Sequence, residues 1–183
     1  VVGFSMGGGE VARYMSRHDG ARVSQAALIA SVVPFMLRTD DNRLGVDQTV
    51  FDGMETAMKD DRAKFFTGFF QSFYGQSTLS RQVSDEVLEW SHRQAMMAGL
   101  KPTLACAKAF ASTDFRPDLP SFRVPTLLIH GTSDKTVPID TTARRAAEQI
   151  AGAKLIEYDG GPHGLLATHK AKVLADLLDF IVR

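Results

Sequence analysis

The 183-residue sequence predicts an α/β fold, with a parallel sheet of about four strands flanked by helices and interrupted by a helical insertion. Short apolar or β-branched runs alternate with segments of helical periodicity, and such alternation builds a parallel sheet with helices on both faces. The run at residues 124–131 (VPTLLIHG) is hydrophobic throughout and ends in glycine. A run of this kind is typical of a central parallel strand that is buried on both faces.

Composition limits the classes of partner. Lys plus Arg and Asp plus Glu both number 21, so we expect no nucleic-acid surface selected by bulk charge. The longest apolar run is too short to span a bilayer, so we expect no membrane partner either. Cys106 is the only cysteine, which excludes an internal disulfide and a cysteine-based zinc site. A single cysteine fits a reducing compartment, and we expect a cytoplasmic protein.

The first three elements follow the alternating pattern. Residues 1–4 form a short, mainly apolar run that predicts a strand, and residues 8–18 have the periodicity of a helix packed on a sheet. Residues 23–31 (VSQAALIAS) indicate a mostly buried parallel strand, although the alanines are also compatible with a helix. These elements predict a strand-helix-strand unit at the start of the chain.

The character of the sequence changes at residue 34. Hardly any strand signal follows until about residue 113, so we divide the chain into an α/β core at residues 1–33 and 122–183 and a helical cap with a return linker at residues 34–121. Within the cap, Ser84 is a candidate N-cap for one helix, and Pro102 lies in the first turn of another.

Aromatic residues recur four apart at Phe65, Phe69 and Phe73, which gives one helix a wide aromatic face. Core packing accounts for such a face. The alternative is that part of it lines an apolar substrate pocket beneath the cap. The side chains that we name for this pocket are Phe69, Trp90, Met96 and Met97.

The second half of the core continues the alternation after the strand at 124–131. We predict a helix, a strand nearer the sheet edge and a final amphipathic helix, at residues 138–150, 154–159 and 165–182. Asp140 or Thr141 is available to cap the first of these helices. A proline-punctuated linker at residues 116–120 leads into this half.

Residues 3–7 (GFSMG) match the G-x-S-x-G pattern of a nucleophile elbow, in which a serine occupies a tight strand-to-helix turn. The turn strains the serine backbone, so we expect small residues at positions 3 and 7 to let strand and helix pass closely. A glycine-rich turn before a helix also suits phosphate binding, and that alternative stays open at this point.

Two further groups follow later strands. A serine hydroxyl needs a base to take its proton, and the base needs a carboxylate to orient it. Ser5, Asp134 and His163 each follow a different predicted strand, in the Ser-Asp-His order of α/β-hydrolases. His169 lies within a helical pattern, and His130 ends a buried strand, where we expect a structural role. The histidines show no spacing that suggests a metal site.

Four segments carry a family resemblance: GFSMGGGEVARY at 3–14, FFQSFYG at 69–75, LLIHGTSDKTVPI at 127–139 and GGPHGLLATH at 160–169. Across essentially the whole chain, the sequence resembles the cofactor-free haloperoxidase, perhydrolase and arylesterase branch of the α/β-hydrolase superfamily.

The resemblance implies a serine esterase that forms an acyl-enzyme, uses neither haem nor metal, and in some members accepts hydrogen peroxide in place of water to make peracids. It implies Ser5 as nucleophile, His163 as general base and acid, Asp134 as orienting carboxylate and the Met6 backbone N–H as one oxyanion donor.

The sequence departs from the family at its start. Members have several strands ahead of the elbow, and a loop among them supplies the second oxyanion donor, so we expect that donor to be missing from this chain. The strand at residues 1–4 then leaves an apolar edge that favours a homo-oligomer or a complementing N-terminal chain. The alternative to an active esterase is therefore a catalytically weak or inactive fragment that needs the missing portion or a partner chain.

Overall fold

The computed structural model describes residues 1–182 and contains a four-stranded parallel sheet in the order β1-β2-β3-β4. Residue 183, the last of the predicted core segment, lies outside the described residues. The strands are β1 (Val2–Phe4), β2 (Ala26–Ile29), β3 (Thr126–Gly131) and β4 (Lys154–Tyr158). The predicted parallel sheet of about four strands is therefore confirmed, and residues 26–29 form a strand rather than a helix.

Helices flank the sheet and fill the long segment between β2 and β3. The α-helices are α1 (Met6–Arg17), α2 (Gln48–Phe73), α3 (Asp85–Met97), α4 (Leu100–Ser112), α5 (Ala143–Gln149), α6 (Leu165–Thr168) and α7 (Lys170–Ile181). Residues 116–120, which we predicted as a linker, fall within a 3-10 helix at Arg116–Ser121. None of the described helices has the length and apolar character needed to cross a membrane.

Two apolar layers lie on the two faces of the sheet. Successive residues of a strand point to opposite faces, so Leu128 of β3 joins one layer while Leu127 and Ile129 join the other. The first layer includes side chains of α1 and α5, and the second includes Val173 of α7. All six residues of β3 are buried, as the unbroken apolar run predicted.

Glycines let α1 pack closely against the sheet. A Cβ at Gly3 would lie 2.5 Å from the Gly7 carbonyl oxygen, so the expectation of a small residue at position 3 is confirmed. At Gly7 the outcome differs, because a Cβ there would meet no heavy atom of the described residues within 4 Å beyond the adjoining backbone of α1. The tight contacts farther along α1 belong to Gly8, against the Ser31 side chain, and to Gly9, against Phe115.

Helix α2 contains a kink that the aromatic pattern did not predict. Asp61 has non-helical angles (φ −152°, ψ 89°), and its carboxylate accepts a hydrogen bond of 2.9 Å from the backbone N–H of Lys64. Asp61 therefore caps the second half of the helix, where the Phe65, Phe69 and Phe73 rings lie next to one another along one side.

The predicted helix ends are partly correct. Ser84 caps α3 by accepting from the Val87 N–H, and Pro102 lies in the first turn of α4. Helix α5, however, begins at residue 143 rather than 138, and neither Asp140 nor Thr141 caps it. The Thr141 hydroxyl instead donates to the Phe35 carbonyl at 3.1 Å, which holds residues 138–142 in a turn against the core.

The predicted final helix is two helices. It breaks at His169, whose backbone angles (φ −125°, ψ 28°) lie outside the helical range. The helical backbone hydrogen bonds continue across this break, from the His169 N–H to the Leu165 carbonyl at 2.8 Å and from the Val173 N–H to the His169 carbonyl at 3.0 Å. The Thr168 hydroxyl donates to the Gly164 carbonyl and lies 2.8 Å from His169 Nδ1.

Candidate active site

Ser5 occupies a strained turn between β1 and α1. Its backbone has φ 53° and ψ −122°, a combination that costs a non-glycine residue about 1–3 kcal/mol. The surrounding structure holds it there, because the Ser5 N–H donates to the Ile29 carbonyl at 2.9 Å and the Ser5 carbonyl accepts from the Gly8 N–H at 3.0 Å. The elbow predicted from the G-x-S-x-G pattern is therefore present, with its serine fixed by the neighbouring strand.

A continuous hydrogen-bond relay joins the three predicted residues. The Ser5 hydroxyl oxygen lies 2.9 Å from His163 Nε2, and His163 Nδ1 lies 2.6 Å from Asp134 Oδ2. The side chains of His163 and Asp134 are buried, at 1% and 0% exposure. Their positions follow from the topology, since each residue follows the carboxyl end of a parallel strand and these ends meet at one edge of the sheet.

The Asp134 carboxylate is held from both sides. Its Oδ1 accepts from the backbone N–H groups of Thr136 and Val137 at 2.9 and 2.7 Å, which leaves Oδ2 for His163. Burial raises the pKa of Asp134, but hydrogen bonds from His130 and His163 outweigh that effect and hold the pKa below its usual value. The carboxylate is therefore ionised at neutral pH and oriented to accept the Nδ1 proton of His163.

Two aromatic rings and a short loop fix His163. The rings of Phe4 and Phe73 lie with centroids 5.2 and 4.8 Å from that of the imidazole. The loop approaches β3 closely, because a Cβ at Gly131 would lie 2.1 Å from the Gly161 carbonyl oxygen. Only glycine at position 131 permits this approach, which brings the loops after β3 and β4 into contact.

Met6 is the first residue of α1, so its backbone N–H belongs to the helix end whose first four N–H groups have no intrahelical partner. The helix dipole favours negative charge at this end. Its part in an oxyanion hole, and the expected lack of a second donor, remain predictions.

A groove of about 610 Å³ is lined by residues of α2 and by Lys135 and Thr136, the two residues after Asp134. Ser5, Asp134 and His163 are not among its lining residues. Of the four side chains predicted for a substrate pocket, Phe69 lines this groove, and its contact with substrate stays a prediction.

The other three side chains predicted for the pocket, Trp90, Met96 and Met97, do not line this groove. All three lie on α3, and Trp90 and Met97 are 61% and 80% exposed. These side chains lie outside the groove because α3 packs through a different side of the helix, the side that carries Ser91. Ser91 is the residue of α3 that is buried, and its hydroxyl lies 2.9 Å from that of Tyr74. Trp90, about 100° around the helix from Ser91, is thereby directed to the surface.

Two of the other four histidines bear on the assignment of His163 as the base. His169, the nearest alternative to His163, contacts Thr168 and the Tyr158 ring and is not joined to Ser5. His130 is fully buried and places Nε2 3.2 Å from Asp134 Oδ2, a contact that our sequence-based expectation of a structural role did not include. The sequence signal that could have predicted this contact is the position of His130 four residues before Asp134.

Within residues 1–182, no group of three His, Cys, Asp or Glu residues is arranged to hold a metal ion.

Comparison with known proteins identifies the family. Residues 1–170 match the alpha/beta hydrolase fold family. The chain is 44% identical over 182 residues to a Synechocystis sp. protein provisionally named a non-heme chloroperoxidase, and 38% identical over 182 residues to the bifunctional esterase/perhydrolase of Acinetobacter calcoaceticus. These alignments include 99% and 98% of this chain and 66% of each relative.

A solved structure gives the same result. The bromoperoxidase from Bacillus anthracis superposes on the whole of this chain with a TM-score of 0.94 and 38% sequence identity, and the chain covers 66% of that protein. The chain thus spans just under two thirds of the length of the relatives that it matches. It belongs to the alpha/beta hydrolase fold family, and within that family it resembles the non-heme haloperoxidases and perhydrolases.

Proposed function

We propose that the protein containing this chain is a serine hydrolase that cleaves small carboxylic esters through an acyl-enzyme. The observation that carries the proposal is the relay from the Ser5 hydroxyl through His163 to Asp134, with heavy-atom distances of 2.9 and 2.6 Å. Its order and spacing are those that nucleophilic catalysis by serine requires. The names of the relatives favour this function over an inactive fragment.

The proposed reaction has two halves. Ser5 Oγ attacks the ester carbonyl while His163 Nε2 takes its proton, and Asp134 stabilises the resulting imidazolium. The carbonyl oxygen becomes an oxyanion that the Met6 N–H stabilises. The carbon–oxygen bond to the alcohol then breaks, His163 returns the proton to the alcohol, and the acyl group remains on Ser5.

In the second half, water attacks the acyl group and gives its proton to His163. Collapse of the tetrahedral intermediate transfers that proton to Ser5 Oγ and releases the carboxylic acid. Hydrogen peroxide in place of water yields a peracid by the same steps, and a peracid is able to oxidise halide ions. The name of the Acinetobacter relative supports perhydrolysis as a second activity.

The surroundings of the relay support an apolar substrate. The groove that includes Lys135 and Thr136 carries the side chains of Phe65, Phe69 and Phe110. The segment 34–121 contains α2 to α4 and none of the four strands, which supports its assignment as a cap over the core.

Cys106 is exposed and unpaired, which suits a cytoplasmic location.

The outer edge of β1 supports a homo-oligomer or a complementing chain as partner. In the described sheet, β1 pairs with β2 alone, and Val2 is half exposed. An apolar strand with a free edge is a template for pairing with another strand.

Active-site labelling tests the proposal. A fluorophosphonate should form one adduct per folded chain, located on Ser5 by peptide mass spectrometry and absent from the Ser5→Ala variant. A folded chain without an adduct would favour the inactive-fragment alternative. Phosphate binding that Ser5→Ala leaves unchanged, with no adduct on the wild type, would favour the glycine-rich turn as an anion site.

Perhydrolysis has its own assay. With acetate, hydrogen peroxide and bromide, the chain should brominate monochlorodimedone, and Ser5→Ala should not. Bromination that survives in Ser5→Ala would exclude an acyl-enzyme route to the peracid.

A further inference from the structure

His130 is a buried histidine that the proposed reaction does not use. It lies near the carboxyl end of β3, four residues before Asp134, and is 0% exposed. Its Nε2 lies 2.8 Å from the Val137 carbonyl oxygen and 3.2 Å from Asp134 Oδ2. One ring nitrogen therefore faces both the catalytic-site carboxylate and the turn that follows it.

The partners of His130 determine its tautomer. A carbonyl oxygen carries no hydrogen, so Nε2 must donate to Val137. Among the described residues, Nδ1 has no hydrogen-bond partner, and this atom is buried. A proton on Nδ1 would be a buried donor without an acceptor, and such groups are costly. The arrangement favours the tautomer that carries its proton on Nε2.

His130 and Asp134 close the same turn from opposite sides. The Val137 N–H donates to Asp134 Oδ1 at 2.7 Å, while the Val137 carbonyl accepts from His130. Both the N–H and the carbonyl of Val137 are therefore hydrogen-bonded. Because the shorter contact of Nε2 goes to Val137, the 3.2 Å contact with Asp134 Oδ2 is the secondary arm of a three-centre interaction.

We propose that His130 is a positioning residue for Asp134. It fixes the turn at residues 134–137 and presents its N–H beside Oδ2, so that this oxygen meets His163 Nδ1 at hydrogen-bond distance. The turnover part of the proposal rests on the proposed function. The geometric part, the effect of His130 on the Asp134–His163 hydrogen bond, is measurable whether or not the chain turns over an ester.

Three substitutions separate the Nε2 contact from general packing. In His130→Gln, the side-chain amide nitrogen reaches the place of Nε2 and is able to donate to Val137. In His130→Asn, the shorter amide reaches only the place of Nδ1, and His130→Leu supplies no donor. Leu128→Ala serves as a stability control, because Leu128 is a buried residue of the same strand and its apolar side chain supplies no hydrogen bond to Asp134.

The readout is the proton NMR resonance of the His163 Nδ1–H, which a short bond to a carboxylate moves downfield of the amide region. We expect His130→Gln to retain it, and His130→Asn and His130→Leu to move it upfield and speed its exchange with water. Leu128→Ala should leave it in place despite a lower Tm. If wild-type turnover is measurable, kcat should fall about tenfold in His130→Asn and His130→Leu, with KM changed less than about twofold.

The outcomes separate the two proposals. If the resonance in His130→Asn and His130→Leu matches that of the wild type while Tm falls as in Leu128→Ala, His130 is only a core residue. Should His130→Leu fail to fold, equal behaviour of the Gln and Asn variants overturns the proposal. Nitrogen NMR of the wild type that places the His130 proton on Nδ1 overturns it as well. Absence of a Ser5 adduct, in contrast, counts against the esterase and leaves the NMR test intact.

Discussion

The Phe73 ring meets the His163 imidazole nearly edge-on, with centroids 4.8 Å apart and an interplanar angle of 79°. The backbone carbonyl of the same phenylalanine accepts a hydrogen bond of 2.8 Å from the N–H of Gly164. Phe73 is the last residue of α2. The end of the long helix between β2 and β3 therefore supports both the ring of the proposed base and the loop that carries it.

Replacing Phe73 with a smaller side chain should lower kcat more than the same replacement at a neighbouring phenylalanine, although the two should cost similar stability. Phe73→Leu keeps the backbone acceptor but removes the edge that contacts His163, so we expect kcat for p-nitrophenyl acetate to fall about three- to tenfold as the imidazole gains freedom. Phe70→Leu is the control, because Phe70 lies on the same helix and packs against Phe73 and Tyr74. Both variants should lose about 1–2 kcal/mol of unfolding free energy. Equal kcat values in the two variants would argue against a supporting role for Phe73.

The choice between two histidines has a direct test. His163→Ala removes the group at 2.9 Å from the Ser5 hydroxyl, and we expect turnover of p-nitrophenyl acetate to fall by about 10⁴-fold. His169→Ala removes a ring that contacts Thr168 and Tyr158, and it should retain turnover within about twofold of the wild type. Steady-state kinetics of the two purified variants decide the matter. Loss of activity in His169→Ala alone would show that the base was wrongly assigned.

The sequence was sufficient to predict the relay for a physical reason. In a parallel sheet, the loops after the strands meet at one edge, so residues that follow β1, β3 and β4 are brought together by the topology. Ser5, Asp134 and His163 each follow such a strand. The separation of 158 residues between Ser5 and His163 therefore did not prevent the prediction.

Side-chain direction in the helical segment was not predictable in the same way. Trp90 and Met97 were assigned to a pocket because they are large and apolar, but exposure on α3 depends on which side of that helix meets α2. The buried hydroxyl pair of Ser91 and Tyr74 determines this side, and a pairing of two common polar residues gives no periodic signal. The start of α5 was missed for a similar reason, since the Thr141 hydroxyl bonds a distant carbonyl instead of capping the helix.

The groove provides a prediction about substrate size. Phe69→Ala removes a ring that lines the groove and therefore widens it. We expect the KM for esters of longer acyl chains to change by at least about threefold relative to the KM for p-nitrophenyl acetate. Trp90→Ala is the matched control, since this 61% exposed ring does not line the groove. A series of p-nitrophenyl esters of increasing chain length measures both. A chain-length profile changed by Trp90→Ala and not by Phe69→Ala would place the acyl site elsewhere.

Asp134 should make stability depend on pH in the acid range. Its folded-state pKa lies below the usual value of 3.8, because hydrogen bonds from His130 and His163 outweigh burial. The folded state thus binds the proton less readily than the unfolded state, and the ionised carboxylate contributes stability above pH 3.8 that is lost as the pH falls towards the folded-state pKa.

Asp134→Asn provides the comparison, since the amide does not titrate. The wild type should be the more stable protein near neutral pH, and its advantage in unfolding free energy should shrink below pH 3.8. Urea unfolding of both proteins over a series of acid pH values measures the difference. A difference that stays constant through this range would show that the pKa of Asp134 is the same in the folded and unfolded states.

The two glycines of the elbow motif should respond differently to the same substitution. A Cβ at position 3 would lie 2.5 Å from the carbonyl oxygen of Gly7 and 2.7 Å from the Cα of Gly8, both of them backbone atoms that are not free to rotate away. Gly3→Ala must therefore separate β1 from α1, and we expect it to cost about 1–3 kcal/mol of unfolding free energy. It should also slow fluorophosphonate labelling of Ser5, because the strained turn moves with the strand.

Gly7→Ala is the matched control, since it adds the same methyl group four residues away in the first turn of α1. Beyond the adjoining backbone of α1, no heavy atom of the described residues lies within 4 Å of its Cβ, and alanine favours a helix more than glycine does. We expect the variant to be as stable as the wild type or more stable by up to about 1 kcal/mol, with unchanged labelling of Ser5. Urea unfolding and labelling rates on both variants test the pair. Equal losses at positions 3 and 7 would contradict it, because close passage at the elbow would then require glycine on both sides of the serine rather than on the strand side alone.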